Sequence, residues 1–275
     1  MANDLKGKVA IITGGAGGIG RALAEEMAER GCYLVLADIN SELLEQTAAE
    51  LRAAGAQLDA KTVDVRDAAE VQALVDGAYH ELGRIDRMFN NAGVNICAEI
   101  RDTSLEDWNR LIDVNLRGVV HGVHAAYPIM REQGFGHIIN TASAAGLIPA
   151  AAEGAYAATK HAVVGLSSTL LIEAATFGVK VSVVCPGLVD TPILDSTSYV
   201  KLDSEALRKI WPGKPVPPRK AARQILRGVD RNRFYIVLST TVNALWRLHR
   251  YAPGASLRIG ELAVRSFRRE RLEDD

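Results

Sequence analysis

A short apolar run, Lys8-Val9-Ala10-Ile11-Ile12-Thr13, passes directly into Gly14-Gly15-Ala16-Gly17-Gly18-Ile19-Gly20 and then into a helical pattern. Few chain arrangements accept that order. Ile19, Leu23, Ala24, Met27 and Ala28 recur at three- and four-residue spacings, while Arg21, Glu25, Glu26, Glu29 and Arg30 take the other side. A buried strand therefore feeds an amphipathic helix through a turn that has almost no side chains. That sequence of elements suits a dinucleotide pyrophosphate, which needs close backbone approach and N–H groups at a helix N-terminus. A glycine turn alone is equally compatible with a tight connection that holds no ligand.

The rest of the chain repeats the alternation. Apolar runs predict strands near 8–13, 33–37, 57–63, 85–90, 136–142, 179–185 and 234–238, and helical periodicity predicts helices near 18–30, 41–54, 67–83, 105–132, 154–177 and 219–230. Alternating strands and helices give βαβ units. The expected fold is a single α/β domain over 1–275, a doubly wound parallel sheet of about seven strands with helices on both faces (a Rossmann fold); 275 residues is a usual length for one such core. No repeat or linker suggests a second domain. The stretch 190–218 lacks periodicity and carries Pro192, Pro212, Pro215, Pro217 and Pro218. It follows a strand at the carboxyl edge of the sheet, where ligands bind, so it is expected to be a substrate lid.

Four positions carry candidate chemistry. Asp38 ends the second strand eighteen residues beyond Gly20, near the spacing at which an acid receives the adenosine ribose hydroxyls. A carboxylate there accepts from the free diol of NAD and repels a 2′-phosphate, and neither Ala37 nor Ile39 supplies a cation for NADP. Asp38 also reads as a helix cap, although Ser41 is an equally good N-cap for the helix from Glu42. Tyr156 and Lys160 stand four residues apart, on one face of a helix, with Ser143 thirteen residues before the tyrosine. An adjacent ammonium favours phenolate and is expected to lower a phenol pKa that begins near ~10, toward general acid/base work. By itself such a pair is found on many solvated helix faces.

Together these residues resemble the short-chain dehydrogenase/reductase family, and the resemblance runs from about Lys6 to about Thr191. Thr13-Gly14-x-x-x-Gly18-x-Gly20 is similar to the family's cofactor turn, with Ile19 inside it. Asp64-Val65 resembles its adenine contact, Asn90-Asn91-Ala92-Gly93 its fourth-strand motif, and Asn115 its active-site asparagine. Ser143, Tyr156 and Lys160 fall on its catalytic positions, and Pro186-Gly187 with Val189 and Thr191 resembles its nicotinamide-side segment. The resemblance implies that Lys160 and Tyr156 also contact the nicotinamide ribose and that Asn115 holds a water linking the lysine to solvent. It also implies a homodimer or homotetramer built through the helices near 105–132 and 154–177. From their own context, Asn115 also reads as a locally bonded helix amide and Ser143 as a polar strand end.

Other features exclude more than they assign. Cys32, Cys97 and Cys185 are far apart in apolar contexts and read as buried free thiols. His121 and His124 lack a third ligand at a compatible spacing, so no metal site is expected. Asp86, Asp107 and Asp113 read as solvated or capping carboxylates, Trp108 as packing. Met1 to Gly7 contains no hydrophobic signal stretch, which makes the cytoplasm the default location. From Arg219 onward there are thirteen Lys and Arg against six Asp and Glu, a net +7 that leaves −8 on the first 218 residues. Val242, Leu245, Trp246, Leu248 and Tyr251 form an apolar set that Pro253-Gly254 is expected to break. Beyond it Leu257, Ile259, Leu262, Val264 and Phe267 alternate with Arg258, Arg265, Arg268, Arg269 and Arg271. This basic extension over about 240–275 reads as an amphipathic helix on an anionic membrane, or else as a solvated helix or oligomer contact. Nucleic acid is not an expected partner, since no recognition-helix motif or interleaved aromatic and basic platform accompanies the charge.

Three function classes follow. The first is an NAD-dependent dehydrogenase or reductase for a secondary alcohol or ketone, with a hydrophobic small-molecule substrate suggested by Ile193, Leu194, Tyr199, Val200, Leu202, Leu207, Ile210 and Trp211 in the lid. The second is an NAD-dependent epimerase or dehydratase, which the glycine spacing and the lack of a large carboxyl-terminal substrate domain disfavour. The third is a non-catalytic NAD-binding regulatory protein, which would be expected to have lost one of Asn115, Ser143, Tyr156 or Lys160.

Overall fold

The computed structural model describes residues 5–205 and 214–268. Strands β1 (Val9–Thr13), β2 (Tyr33–Asp38), β3 (Leu58–Thr62), β4 (Arg87–Asn90), β6 (Gly136–Thr141), β7 (Val179–Cys185) and β9 (Tyr235–Val237) form one sheet in the order β3-β2-β1-β4-β6-β7-β9, every neighbouring pair parallel. Between β1 and β4 the connections change direction: β2 and β3 are laid down to one side, β6, β7 and β9 to the other. A crevice at the carboxyl ends of the strands opens at such a switch point.

Both faces of the sheet are dry, which explains why the strands read as continuous apolar runs rather than alternating ones. Successive residues still point opposite ways. Ala10, Ile12, Leu34, Leu36, Phe89 and Ile139 enter one core, covered by α1 (Gly18–Ala28), α2 (Ser41–Ala53) and α8 (Pro218–Asp230). Ile11, Val35, Met88, Ile138, Val181 and Val183 enter the other, under α3 (Ala68–Leu82), α5 (Gly118–Gln133) and α6 (Gly154–Ala174).

Several sequence expectations need correction. The helix expected over 105–132 is two helices, α4 (Leu105–Ile112) and α5, joined by one turn of wider π winding over Asp113–Arg117. Gly118 follows the turn and begins α5, and a tertiary bond to the Asn115 side chain accompanies it, as described below. Asn40, not Ser41, caps α2, its Oδ1 accepting from the Leu43 N–H at 3.0 Å. Asp86 is not solvated. It accepts from the Val9 N–H at 2.9 Å and pairs with Arg84 at 2.7 Å and Lys8 at 3.3 Å, tying the starts of β1 and β4 together.

Two further elements lie at the carboxyl edge. β5 (Ile96–Cys97) pairs in parallel with β8 (Ser198–Tyr199), just after the single-turn helix α7 (Ile193–Ser196), so the segment beyond β7 is drawn toward the end of β4. Pro253-Gly254 falls at a break in the tail, as expected: α9 (Thr240–Tyr251) ends before it at the non-helical Ala252, and Pro253 begins α10 (Pro253–Phe267), because proline's missing N–H is harmless in a first helical turn. Leu257, Ile259 and Leu262 are half or more exposed on α10, while Val264 packs beside Cys97, Ala152 and Leu202, and Arg268 pairs with the buried Glu99 at 2.7 Å. No helix among the described residues is long and apolar enough to cross a membrane. Leu207, Ile210 and Trp211 of the lid, and Arg269 and Arg271 of the tail, lie outside the described residues.

A polar chain crosses the interior between β4 and α6. Asn90 donates to Asn140 at 2.8 Å and Asn140 to Ser167 at 3.0 Å, locking β4, β6 and α6 into one register. α5 crosses this point at Gly122, where an added Cβ would run into Asn90 Oδ1. Gly122→Ala is expected to lower the unfolding free energy by about 2–3 kcal/mol, measured by denaturant titration.

Candidate active site

The glycine turn owes its shape to β4. The Thr13 hydroxyl donates to the Phe89 carbonyl at 3.3 Å and accepts from the Asn91 and Ala92 N–H groups at 3.0 and 3.2 Å. Asn91 Nδ2 returns to the Thr13 carbonyl at 3.1 Å. Gly14, at φ +65°, passes so close to this segment that a Cβ would lie 2.9 Å from Ala92 Cα. Gly20 faces the Gly14 carbonyl with no room for a side chain. It therefore seats α1 on the turn and does not line the cleft.

One cleft of about 380 Å³ runs from this turn to the start of α6. Gly14, Gly18, Ile19 and Asp38 line one end; Asn91, Ala92 and Gly93 line the floor; Pro186, Gly187, Val189 and Thr191 line the side toward α7; Ser143, Tyr156 and Lys160 line the other end. The site fits a dinucleotide. Gly17 caps α1 with no side chain, which leaves the first-turn N–H groups free to meet an anion. Asp38 accepts from the Ala16 N–H at 3.1 Å and the Asn40 N–H at 3.0 Å, which fixes its carboxylate at the mouth with lone pairs to spare.

At the other end, Lys160 Nζ lies 5.6 Å from the centre of the Tyr156 ring and donates to the Thr141 carbonyl at 3.0 Å. Lys160 is buried and Tyr156 half-buried. Burial pushes the Lys160 ammonium down to about 8. The Tyr156 phenol is not lowered as the adjacent cation would suggest: burial raises it, the Glu153 carboxylate raises it further, and contact with Ser143 opposes the rise. In a dry pocket the loss of water outweighs one neighbouring charge. Ser143 follows β6, its Oγ accepting from the Ala145 N–H at 3.2 Å.

Asn115 does not line the cleft. It is fully buried on the π turn, its Oδ1 accepting from the Val94 N–H and its Nδ2 donating to the Val94 carbonyl, both at 2.9 Å. It is thus bonded across the fold, not locally within its helix. The pairing holds the chain after Gly93, where a Cβ would meet Asn115 Oδ1 at 3.1 Å and Lys160 Nζ at 3.4 Å. Asp64 and Val65 also lie outside the lining. Asp64 is chelated by Arg66 at 2.5–3.0 Å, which holds its carboxyl below the usual range, and Val65 packs on Gly118 and accepts from His121 at 2.9 Å.

Sequence reasoning missed Asn40, Leu43, Asn95, Cys97 and Glu153, all in the lining. Glu153 is the most consequential. It is 4% exposed, and burial pushes its carboxyl up to about 7 against hydrogen bonds from Asn95 and Cys97. The spacing logic that paired Tyr156 with Lys160 would have found it three residues before the tyrosine.

Residues 8–200 match the family model of the short chain dehydrogenases. A short chain dehydrogenase/reductase from Burkholderia phymatum, crystallised in complex with NAD, superimposes with a TM-score of 0.84 at 36% identity, covering 90% of this chain and 94% of that one. Levodione reductase of Leifsonia aquatica is 36% identical over 223 residues, 80% of this chain and 79% of its own length. Cyclohexanol dehydrogenase of an Acinetobacter species is 37% identical over 208 residues, 74% of this chain and 82% of its own. The chain belongs to the short chain dehydrogenase family, as an oxidoreductase that works with a nicotinamide cofactor.

Proposed function

We propose that this enzyme interconverts a secondary alcohol and a ketone on a largely apolar, alicyclic small molecule, with NAD as the preferred cofactor. The observation that carries the proposal is that Ser143, Tyr156 and Lys160 share one cleft with the glycine turn and Asp38. Apolar Val94, Leu188, Ile193 and Leu194 beside the tyrosine suit an alicyclic body, the substrate type named for two relatives. The described part of the expected lid lines the cleft through Thr191, Ile193, Leu194 and Tyr199. A bound nicotinamide supplies the hydride acceptor, or in reverse the donor. Tyr156 manages the proton, accepting it from the carbinol hydroxyl during oxidation and returning it to the developing alkoxide during reduction. Ser143 hydrogen-bonds the same substrate oxygen and fixes its orientation. Lys160, held by the Thr141 carbonyl, supplies positive charge beside the phenol whenever the phenol gives up its proton.

Tyr156→Phe should abolish turnover in both directions while calorimetric titration finds NAD binding within a few-fold of wild type. Retained turnover would remove the tyrosine from its assigned role. Because burial keeps the phenol protonated, ketone reduction should hold level from acid pH to about 8, then fall as the Lys160 ammonium loses its proton. Alcohol oxidation, which needs the phenol deprotonated, should peak at higher pH than reduction. Coincident optima for the two directions would contradict this assignment.

The cofactor choice rests on Asp38, whose carboxylate would repel a 2′-phosphate, and on the absence of a cation at the exposed Ile39. Exchanging both, as Asp38→Ser with Ile39→Arg, should move the NADP to NAD ratio of kcat/KM toward NADP by roughly a hundredfold, about 2.7 kcal/mol. An unchanged ratio would take the discrimination away from this strand end.

A further inference from the structure

Glu153 has no part in the proton transfer described above, yet it stands beside it. It occupies the N-cap of α6 without capping: no backbone N–H of the first turn is bonded to its side chain. Instead the chain before it is bent inward. Ala152 adopts φ 60°, a left-handed conformation that a residue with a Cβ rarely takes, and its carbonyl accepts from the Ala98 N–H at 2.8 Å. The carboxyl then reaches the cleft, where Oε1 accepts from Asn95 Nδ2 at 3.0 Å and faces Cys97 Sγ at 3.7 Å. Its other oxygen, Oε2, and the amide oxygen of Asn95 are both buried and have no hydrogen-bond partner within the protein. Two buried, unpartnered acceptors in a cleft whose lining also includes the apolar Val94, Leu188, Ile193 and Leu194 are unfavourable unless a ligand supplies donors. A leucine would fill the place without that penalty.

We propose that Glu153 and Asn95 form a second polar subsite, which takes a hydroxyl group on the substrate additional to the one that reacts, so that diols and hydroxyketones are the preferred substrate class. This inference rests on the alcohol and ketone reading given above. Glu153 stands three residues before Tyr156, at the N-cap position of α6, and both side chains line the same cleft. A second hydroxyl on a neighbouring carbon and one across a six-membered ring from the carbinol are the two placements to compare.

The test compares kcat/KM for cyclohexanol, 1,2-cyclohexanediol and 1,4-cyclohexanediol, read as NADH formation, in wild type, Glu153→Leu and Glu153→Gln. Wild type should favour at least one diol over cyclohexanol by roughly tenfold or more, the size of one hydrogen bond to a charged group. Glu153→Leu should collapse that ratio, chiefly through the KM of the diol. In wild type the ratio should also grow as pH rises through about 7, where the carboxyl ionises, and in Glu153→Gln it should be flat. Should the leucine variant not fold, the pH dependence of the ratio in wild type against the glutamine variant decides. Cyclohexanol turnover with no diol preference, or with the same pH-dependent ratio after substitution, overturns the subsite and leaves the dehydrogenase reading standing. No turnover of any of the three by wild type overturns both.

Discussion

The hydroxyl of Thr13 is the joint on which the site is assembled. It donates to the end of β4 and accepts from two N–H groups just beyond it, so the last residue of β1 and the first residues after β4 cannot separate. That pairing spans the point where the sheet's connections reverse direction. Without it the glycine turn would have no wall to press against. With it, the close approach of Gly14 to Ala92 becomes fixed geometry rather than an average over loop conformations. The floor of the cleft and the turn at its end are therefore a single rigid piece, which is what a cofactor held at one end for chemistry at the other requires.

Burial governs the charges at the chemical end. Lys160, Tyr156 and Glu153 line the cleft together, and for each the loss of water is the leading influence: it favours the neutral amine, the neutral phenol and the neutral acid. At neutral pH the phenol stays protonated, the acid is close to half ionised and the amine still carries its proton. A nicotinamide held beside Tyr156 and Lys160 would supply the hydride chemistry there, while the two side chains manage the proton.

The sheet was legible because buried parallel strands and amphipathic helices each leave a periodic signature, and every expected strand lies within two residues of an observed one at either end. The Gly14 to Gly20 turn and the Tyr156 and Lys160 spacing were legible for a related reason: both are local, so sequence separation translates directly into distance. What could not be read is what depends on neighbours remote in the chain. The widened turn at Asn115 answers to Val94, twenty-one residues away. The rise in the Tyr156 pKa answers to enclosure by several elements, which overrides the adjacent cation. Asp64 is withdrawn by its own near neighbour Arg66, a pairing the spacing allowed but the family motif concealed. The break in the tail was legible for a local reason too, since Pro253 begins a helix from its first turn and so marks the boundary between α9 and α10.

The π turn has a mechanical consequence. A regular α-helix advances about 100° per residue, so a helix running without the wide turn from Leu105 to Gln133 would arrive at α5 out of phase. Either the amide of Asn115 or the Gly122 face against Asn90 would then point away from its mate. The irregular turn lets one continuous rod meet two fixed anchors whose separation does not match its natural pitch. Straightening it would unseat one end or the other.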